Sequence, residues 1–202
     1  MINLAWRLRE SDHIHQTMSV GDVFTFEEIQ RIKAYASTLE TSPARVGPDD
    51  SVERGITNNS IRQCQVSWLH PTNECNWVYM RLVDVIHKMN SQYFNFNLYG
   101  IQTLQYTIYN ADEKGFYSIH KDARSTAESG LVRKLSFSMQ LSDPTEYEGG
   151  ELITEASFKP EVATKELGSI TFFNSDLLHE AKPVTKGSRH VLVGWVIGPP
   201  LI

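Results

Sequence analysis

The chain has 202 residues, 41% of them hydrophobic, which is enough for one globular domain with a real core and too little for a separate second one. Its formal charge of -5 offers no general attraction to a phosphate backbone and argues against a nucleic-acid partner. Only two cysteines occur, Cys64 and Cys75, with no CxxC spacing, so a disulfide framework and a cysteine-based zinc site are excluded and a reducing, cytoplasmic setting is expected.

We therefore expect residues 1–202 to form a single domain. Met1 to Glu10 lacks the continuous apolar stretch of a signal peptide, and no segment approaches a membrane span in length, so a soluble protein without a membrane partner is expected. Asp12-His13-Ile14-His15 alternates histidines beside a carboxylate. It lacks a strand pattern and reads as a solvated terminal run. Thr25-Phe26-Glu27-Glu28 is a capping box that opens a helix, with Ile29, Ile32, Ala36 and Leu39 as its buried stripe. Residues 41–60 are polar and rich in Pro, Gly, Asp and Asn, a loop long enough to be either functional or disordered.

Ile61 to Leu69 alternates as a strand. Pro71-Thr72-Asn73 stops it and caps a second helix reaching about Tyr93, whose core stripe is Val78, Leu82, Val85, Ile86, Met89 and Tyr93; His87 is an exposed position on it. From Gly100 strands dominate: Ile101 to Tyr109, Tyr117 to Asp122, Lys134 to Leu141, Glu151 to Thr154, Ser169 to Phe173 and Val191 to Ile197. Many short strands broken by turn residues predict a sandwich or barrel. Phe172 and Phe173 alternate faces, so one of them packs in the core, and Gly149-Gly150 reads as a tight turn without a catalytic role.

Chemistry enters at Tyr117-Ser118-Ile119-His120-Lys121-Asp122. In an extended segment His120 and Asp122 share a face and can give a metal two ligands. A second histidine would complete a 2-His-1-carboxylate set with three positions left open, and His179 is the candidate. Arg189 follows His179 by ten positions. The order is thus His-x-Asp, His, Arg.

With these residues, the stretches "IRQCQVSWL", "YNADEKGFYSIHKD", "RKLSFSMQLSD", "YEGGEL" and "LLHEAKPVTKGSRHVLVGW" resemble the iron(II)- and 2-oxoglutarate-dependent oxygenases, specifically the prolyl 4-hydroxylase-like branch. The resemblance implies an α+β chain whose strands form a double-stranded β-helix, or jelly roll, with N-terminal supporting helices. It implies iron(II) held by His120, Asp122 and His179, 2-oxoglutarate as cosubstrate, and ascorbate as reductant. Oxidative decarboxylation of the cosubstrate to succinate and CO2 would accompany hydroxylation of the substrate.

The distal carboxylate of 2-oxoglutarate needs a buried partner, and Arg189 offers a bidentate fork. Tyr109 either contacts 2-oxoglutarate or packs. Gln140 stands where several relatives have a tyrosine that binds 2-oxoglutarate, and its amide can also donate. Tyr117, Arg133 and Trp195 match positions lining the peptide groove of related enzymes, and the 41–60 loop matches a segment that folds over bound peptide. The expected activity is that of a procollagen-proline 4-dioxygenase-like dioxygenase, hydroxylating prolyl residues of a peptide or protein partner. The alternatives are a hydroxylase of a free amino acid or small metabolite, which would need a charged pocket although no extra basic cluster is evident in the sequence, and a catalytically silent jelly-roll binding module. Nucleic-acid demethylation is disfavoured by the acidity.

Overall fold

The computed structural model describes residues 16–47, 56–124, 130–156 and 159–200. The Asp12 to His15 run and the tip of the long loop, residues 48–55, lie outside them. In chain order the elements are β1 (Thr17–Val20), α1 (Phe26–Ala36), β2 (Ser42–Pro43), β3 (Arg62–Gln63), β4 (Gln65–Leu69), α2 (Asn76–Met89), β5 (Gly100–Ile101), β6 (Leu104–Asn110), β7 (Phe116–His120), β8 (Val132–Gln140), β9 (Tyr147–Gly149), β10 (Leu152–Ala156), β11 (Lys159–Val162), β12 (Ile170–Asn174), β13 (His179–Ala181) and β14 (Val184–Gly198).

The capping box forms as read: Thr25 accepts from the Glu28 amide while the Glu28 carboxylate accepts from the Thr25 amide. Such a cap stabilises a helix by about 1 kcal/mol. Ile29, Ile32 and Ala36 are buried, while Leu39 lies beyond the helix end and is half-buried. The second helix starts later than Thr72 and Asn73 suggest. Thr72 instead offers its carbonyl to the amides of Cys75 and Asn76, and Cys75 caps without a side-chain bond. A π-helical turn, Asn90–Phe94, carries the chain on to Asn95 in the left-handed region, and the Asn90 side chain closes the end by bonding both backbone groups of Phe96. His87 is exposed.

The strands form two antiparallel sheets. The larger runs β1-β12-β8-β14-β6-β4-β2, with β5 and β9 attached to β14; the smaller runs β11-β10-β13-β7-β3. Their facing surfaces enclose one cavity, lined from both sides. This is the double-stranded β-helix expected. Ile61 to Leu69 proves to be two strands: the chain changes sheets at Cys64, so β3 pairs with β7 in the small sheet and β4 with β6 in the large one. The Cys64 carbonyl is then taken by the Ala44 amide of the incoming loop. Likewise β7 ends at His120, short of Asp122, and β14 extends seven residues further towards the N-terminus than the Val191 start, because Val184–Gly187 pairs with β9.

Alternation divides the large sheet sharply. On β8, Leu135, Phe137 and Met139 join the main apolar core with the two helices, and Lys134, Ser136, Ser138 and Gln140 are the buried polar residues between them. Phe172 packs tilted against Phe137 in that core, ring centroids 5.6 Å apart, whereas Phe173 turns towards the cavity. Gly194 is needed on the core face, since a Cβ there would meet the Phe137 ring at 2.3 Å. Tyr79 of α2 fastens the helix to the sheet, its hydroxyl donating to the Leu69 carbonyl and accepting from the Leu104 amide.

His190 of β14 is packed with the Tyr106 hydroxyl on its Nδ1, and burial, with Lys33 nearby, pushes its pKa down to about 4. Protonation therefore favours the unfolded chain between the unfolded value near 6.5 and 4: this contribution is complete above about pH 6.5 and is lost as pH falls towards 4. At 1.36 kcal/mol per pH unit it amounts to roughly 3 kcal/mol. Urea unfolding at several pH values is expected to show His190→Gln losing part of the wild-type slope in that window. Parallel curves would show that other groups carry it.

Candidate active site

His120 closes β7 and His179 opens β13, and the two strands pair so that these residues stand directly opposite each other. Asp122 follows two residues after His120, beyond the strand, where a turn fixes it. Its amide and that of Ala123 both donate to the Ser175 carbonyl, at 2.9 and 2.8 Å. The Ser175 hydroxyl is in turn bonded to that of Ser136 in the large sheet at 2.9 Å. Ser175 was not anticipated, because a turn serine acting through its backbone carbonyl leaves no pattern in sequence.

The three side chains converge. His120 Nε2 lies 3.6 Å from one Asp122 oxygen and His179 Nε2 3.4 Å from the other. One ligand atom from each residue lies within 4.8 Å of the others. Nδ1 of His120 faces the Ser118 carbonyl at 2.8 Å, and Nδ1 of His179 faces that of Leu177 at 3.0 Å. A ring nitrogen facing a carbonyl donates to it, so in both rings Nε2 is the nitrogen that faces the carboxylate. Burial pushes the Asp122 carboxyl up, but His179 and His120 outweigh it and hold it well below the usual carboxylate range. Burial also lowers the His179 pKa, against the pull of Asp122. Two imidazoles that present Nε2 and one carboxylate form the donor set that suits a divalent transition metal.

The triad opens into a cavity of about 540 Å³. Arg189, on the inner face of β14, is only 2% exposed; its Nε donates to Gln140 Oε1 at 3.3 Å and its Nη2 has no partner among the described residues. A buried guanidinium nitrogen without a partner among the described residues, in the cavity of the triad, fits a carboxylate such as the distal one of 2-oxoglutarate. Gln140 donates to the Thr164 carbonyl at 3.4 Å and accepts from Arg189, an arrangement that holds the arginine and leaves its amide turned from the cavity. Gly150, with φ of +63°, does more than turn the chain: a Cβ there would stand 3.0 Å from Arg189 Cδ. Tyr109 is buried with its ring 5.6 Å from the Arg189 guanidinium, and burial keeps its hydroxyl protonated.

Tyr117, Arg133 and Trp195 all line the same cavity. Tyr117 stacks on His120 with ring centroids 3.5 Å apart. The Arg133 guanidinium lies 4.0 Å over Trp195, whose indole nitrogen is buried without a partner among the described residues. Trp68, a residue the sequence reading left in a core strand, tilts against Trp195 at 6.4 Å and extends this wall into a neighbouring depression. The stem of the long loop reaches the cavity through Pro43, Arg45, Val46 and Gly47, and is pinched by a bridge between Val46 and Ile56.

One expectation is overturned. Five arginines, Arg45, Arg62, Arg124, Arg133 and Arg189, line the cavity against the acids Glu40 and Asp122. The cluster is invisible in sequence because its members come from five separate segments.

A jelly roll with a 2-His-1-carboxylate triad and a buried arginine defines the class. The model of the 2OG-Fe(II) oxygenase superfamily matches residues 104–197, a span that contains His120, Asp122, His179 and Arg189. A PKHD-type hydroxylase of Hyphomonas neptunium is 40% identical over 82 residues, which is 40% of this chain and 37% of that protein. One of Idiomarina loihiensis is 34% identical over 95 residues, covering 47% and 43% respectively. The fold is similar to that of a Pseudomonas putida prolyl-4-hydroxylase, with a TM-score of 0.71 at 19% identity over 90% of this chain and 92% of the other. It is also similar to a Trichoplax adhaerens prolyl hydroxylase in complex with a hypoxia inducible factor peptide fragment, with a TM-score of 0.70 at 16% identity over 90% of this chain and 83% of the other. The family model and the sequence relatives make the chain similar to the 2OG-Fe(II) oxygenases, and the solved structures share its fold. Among the described residues no helix is long and apolar enough to cross a membrane.

The converging ligand atoms predict one metal per chain. Titration with Mn(II), followed by electron paramagnetic resonance, is expected to give one equivalent bound to the wild type and none bound tightly to His120→Ala, Asp122→Ala or His179→Ala. Saturating metal should raise the wild-type Tm and leave those of the variants unmoved. An Asp122→Ala protein that retains a full equivalent would remove Asp122 from the ligand set.

Proposed function

We propose that the protein is an Fe(II)- and 2-oxoglutarate-dependent dioxygenase that hydroxylates a prolyl residue of an extended peptide or protein. The observation that carries the reading is a pairing in one cavity: three candidate metal ligands within 4.8 Å of one another, and the Nη2 of Arg189, buried without a partner among the described residues. His120, Asp122 and His179 would hold iron, and Arg189 the distal carboxylate of the cosubstrate. Iron with 2-oxoglutarate and dioxygen supplies hydroxylation of an unactivated C–H bond, releasing succinate and CO2.

The chain's own groups bind and orient. The Ser118 and Leu177 carbonyls engage Nδ1 of both rings, which orients both Nε2 atoms towards Asp122. Gln140 holds one edge of Arg189, leaving Nη2 to receive a carboxylate oxygen. Tyr109, protonated and beside that guanidinium, is the second candidate donor to the cosubstrate. Tyr117 covers His120, and with Arg133 and Trp195 offers aromatic and stacked surface to a substrate. Proline suits such a groove because its fixed φ leaves less entropy to lose on binding and aromatic walls grip its ring. A reductant such as ascorbate belongs to the same reading. Hydroxylation of a small carboxylate-bearing metabolite is the second reading, favoured by the arginines of the cavity.

Two measurements check the proposal. Arg189→Ala is expected to raise the 2-oxoglutarate KM about tenfold to a hundredfold, the cost of losing one charge-assisted pair, while Mn(II) affinity holds. An unchanged KM would assign the cosubstrate to another arginine. Mass spectrometry after incubation with Fe(II), 2-oxoglutarate and dioxygen is expected to show one added oxygen on proline-containing peptides and none on lysine-containing ones. Robust hydroxylation of free amino acids with none on any prolyl peptide would replace proline in a peptide by the second reading.

A further inference from the structure

Arg189 gives the cosubstrate one buried cation; a second, Arg62 of β3, has no assigned role. It is 8% exposed and lines the same cavity as the triad. Its Nε donates to the Cys64 sulfur at 3.1 Å and its Nη2 to Gln105 Oε1 at 2.6 Å, while its guanidinium lies 4.5 Å over the Tyr117 ring. The three partners are a thiol, an amide and a phenol ring, and none of them is a carboxylate. Among the described residues no carboxylate pairs with Arg62. Asp122 carries the nearest charge in the triad, and it is committed to the two imidazoles.

Arg124 lines the same cavity. It is half-buried, follows Asp122 by two residues, and donates from Nη1 to the Gly47 carbonyl at 2.7 Å, again not a carboxylate. Both guanidinium groups line the cavity together with Tyr117, the residue that stacks on His120. A buried guanidinium without a counter-charge is costly, and it is offset when an anion arrives with matching hydrogen-bond geometry.

We propose that Arg62 and Arg124 bind a carboxylate of the primary substrate, beside Tyr117 and next to the metal triad. The inference rests on the oxygenase reading above and narrows its substrate class to molecules carrying a carboxylate close to the carbon that is hydroxylated. Such a carboxylate comes either from an acidic side chain adjacent to the target residue or from the free α-carboxylate of an imino acid. The planar fork of Arg62 receives both.

The test uses the protein loaded with Mn(II) and 2-oxoglutarate for binding by calorimetry, and with Fe(II) for turnover. Four probes are compared: a short peptide containing Glu-Pro, its Gln-Pro counterpart, a Glu-Ala peptide and free L-proline. Binding and kcat/KM are expected to be about tenfold to a hundredfold better for Glu-Pro, or for free proline, than for Gln-Pro. Arg62→Met, which keeps the volume of the stem, should erase that preference while the 2-oxoglutarate Kd is unchanged; Arg124→Gln, at a more exposed position where folding is not at stake, should reduce it. Preference for Glu-Pro assigns the carboxylate to a peptide side chain, and preference for free proline to an α-carboxylate. Equal hydroxylation of Glu-Pro and Gln-Pro with no binding of free proline would overturn the carboxylate site and leave the prolyl reading standing. Arg62-dependent binding of Glu-Pro and Glu-Ala without oxygen on proline would do the reverse. A rise in the 2-oxoglutarate Kd for Arg62→Met would move Arg62 to the cosubstrate and overturn the proposal.

Discussion

His120, Asp122 and His179 bring two ring nitrogens and a carboxylate within 4.8 Å of one another in a buried place, and much of the fold serves to hold them there. The pairing of β7 with β13 sets the histidines opposite each other, and a bulge just past His179 shifts the register. Two carbonyls orient the rings. The carboxylate sits past the end of its strand, and a second segment grips it through the Ser175 carbonyl. Each element supplies one restraint, so the site is preorganised before any ligand enters.

This demand explains where the core lies. A jelly roll of this size could fill the space between its sheets with aliphatic side chains. Here that space holds the triad and several arginines, and the largest apolar cluster lies on the other face of the large sheet, under α1 and α2. The helices are therefore what allow the interior to be polar. Full burial of a leucine- or phenylalanine-sized side chain contributes about 1.5 to 3 kcal/mol, and Leu135, Phe137, Met139, Ile170, Phe172 and Leu192 all reach it on the helix side. Stability comes from one face and chemistry from the other, divided by the two-residue period of the strands.

The same division decides what could be read from sequence. Helix stripes, the capping box and the principal strands repeat locally and were legible. His120 and Asp122 were legible as a pair, although their convergence depends on the turn after β7 as much as on the strand face. What escaped is non-local. The sheet change at Cys64 leaves the alternation of Ile61 to Leu69 intact while sending its halves to different sheets. The edge strands β1 and β11 owe their pairing to partners far along the chain or to a hairpin with little apolar pattern. Arg62 looks like any strand arginine until β3 is seen to face inwards, and Gln140 reads as a cosubstrate donor until its oxygen is found on Arg189.

Charge shows the same gap between global and local. A chain with a formal charge of -5 would repel a distant anion in bulk, yet its cavity is lined by five arginines and only the acids Glu40 and Asp122. Screening reconciles these facts: over about 8 Å at physiological ionic strength the surface acids fade, whereas groups facing a low-dielectric interior are screened much less. An anionic ligand at the mouth therefore responds to the cavity and hardly to the net charge. The acidity that argued against nucleic acid thus carries no weight against a small carboxylate. It leaves selection to size and shape, since the cavity holds about 540 Å³, within the range of small-molecule sites.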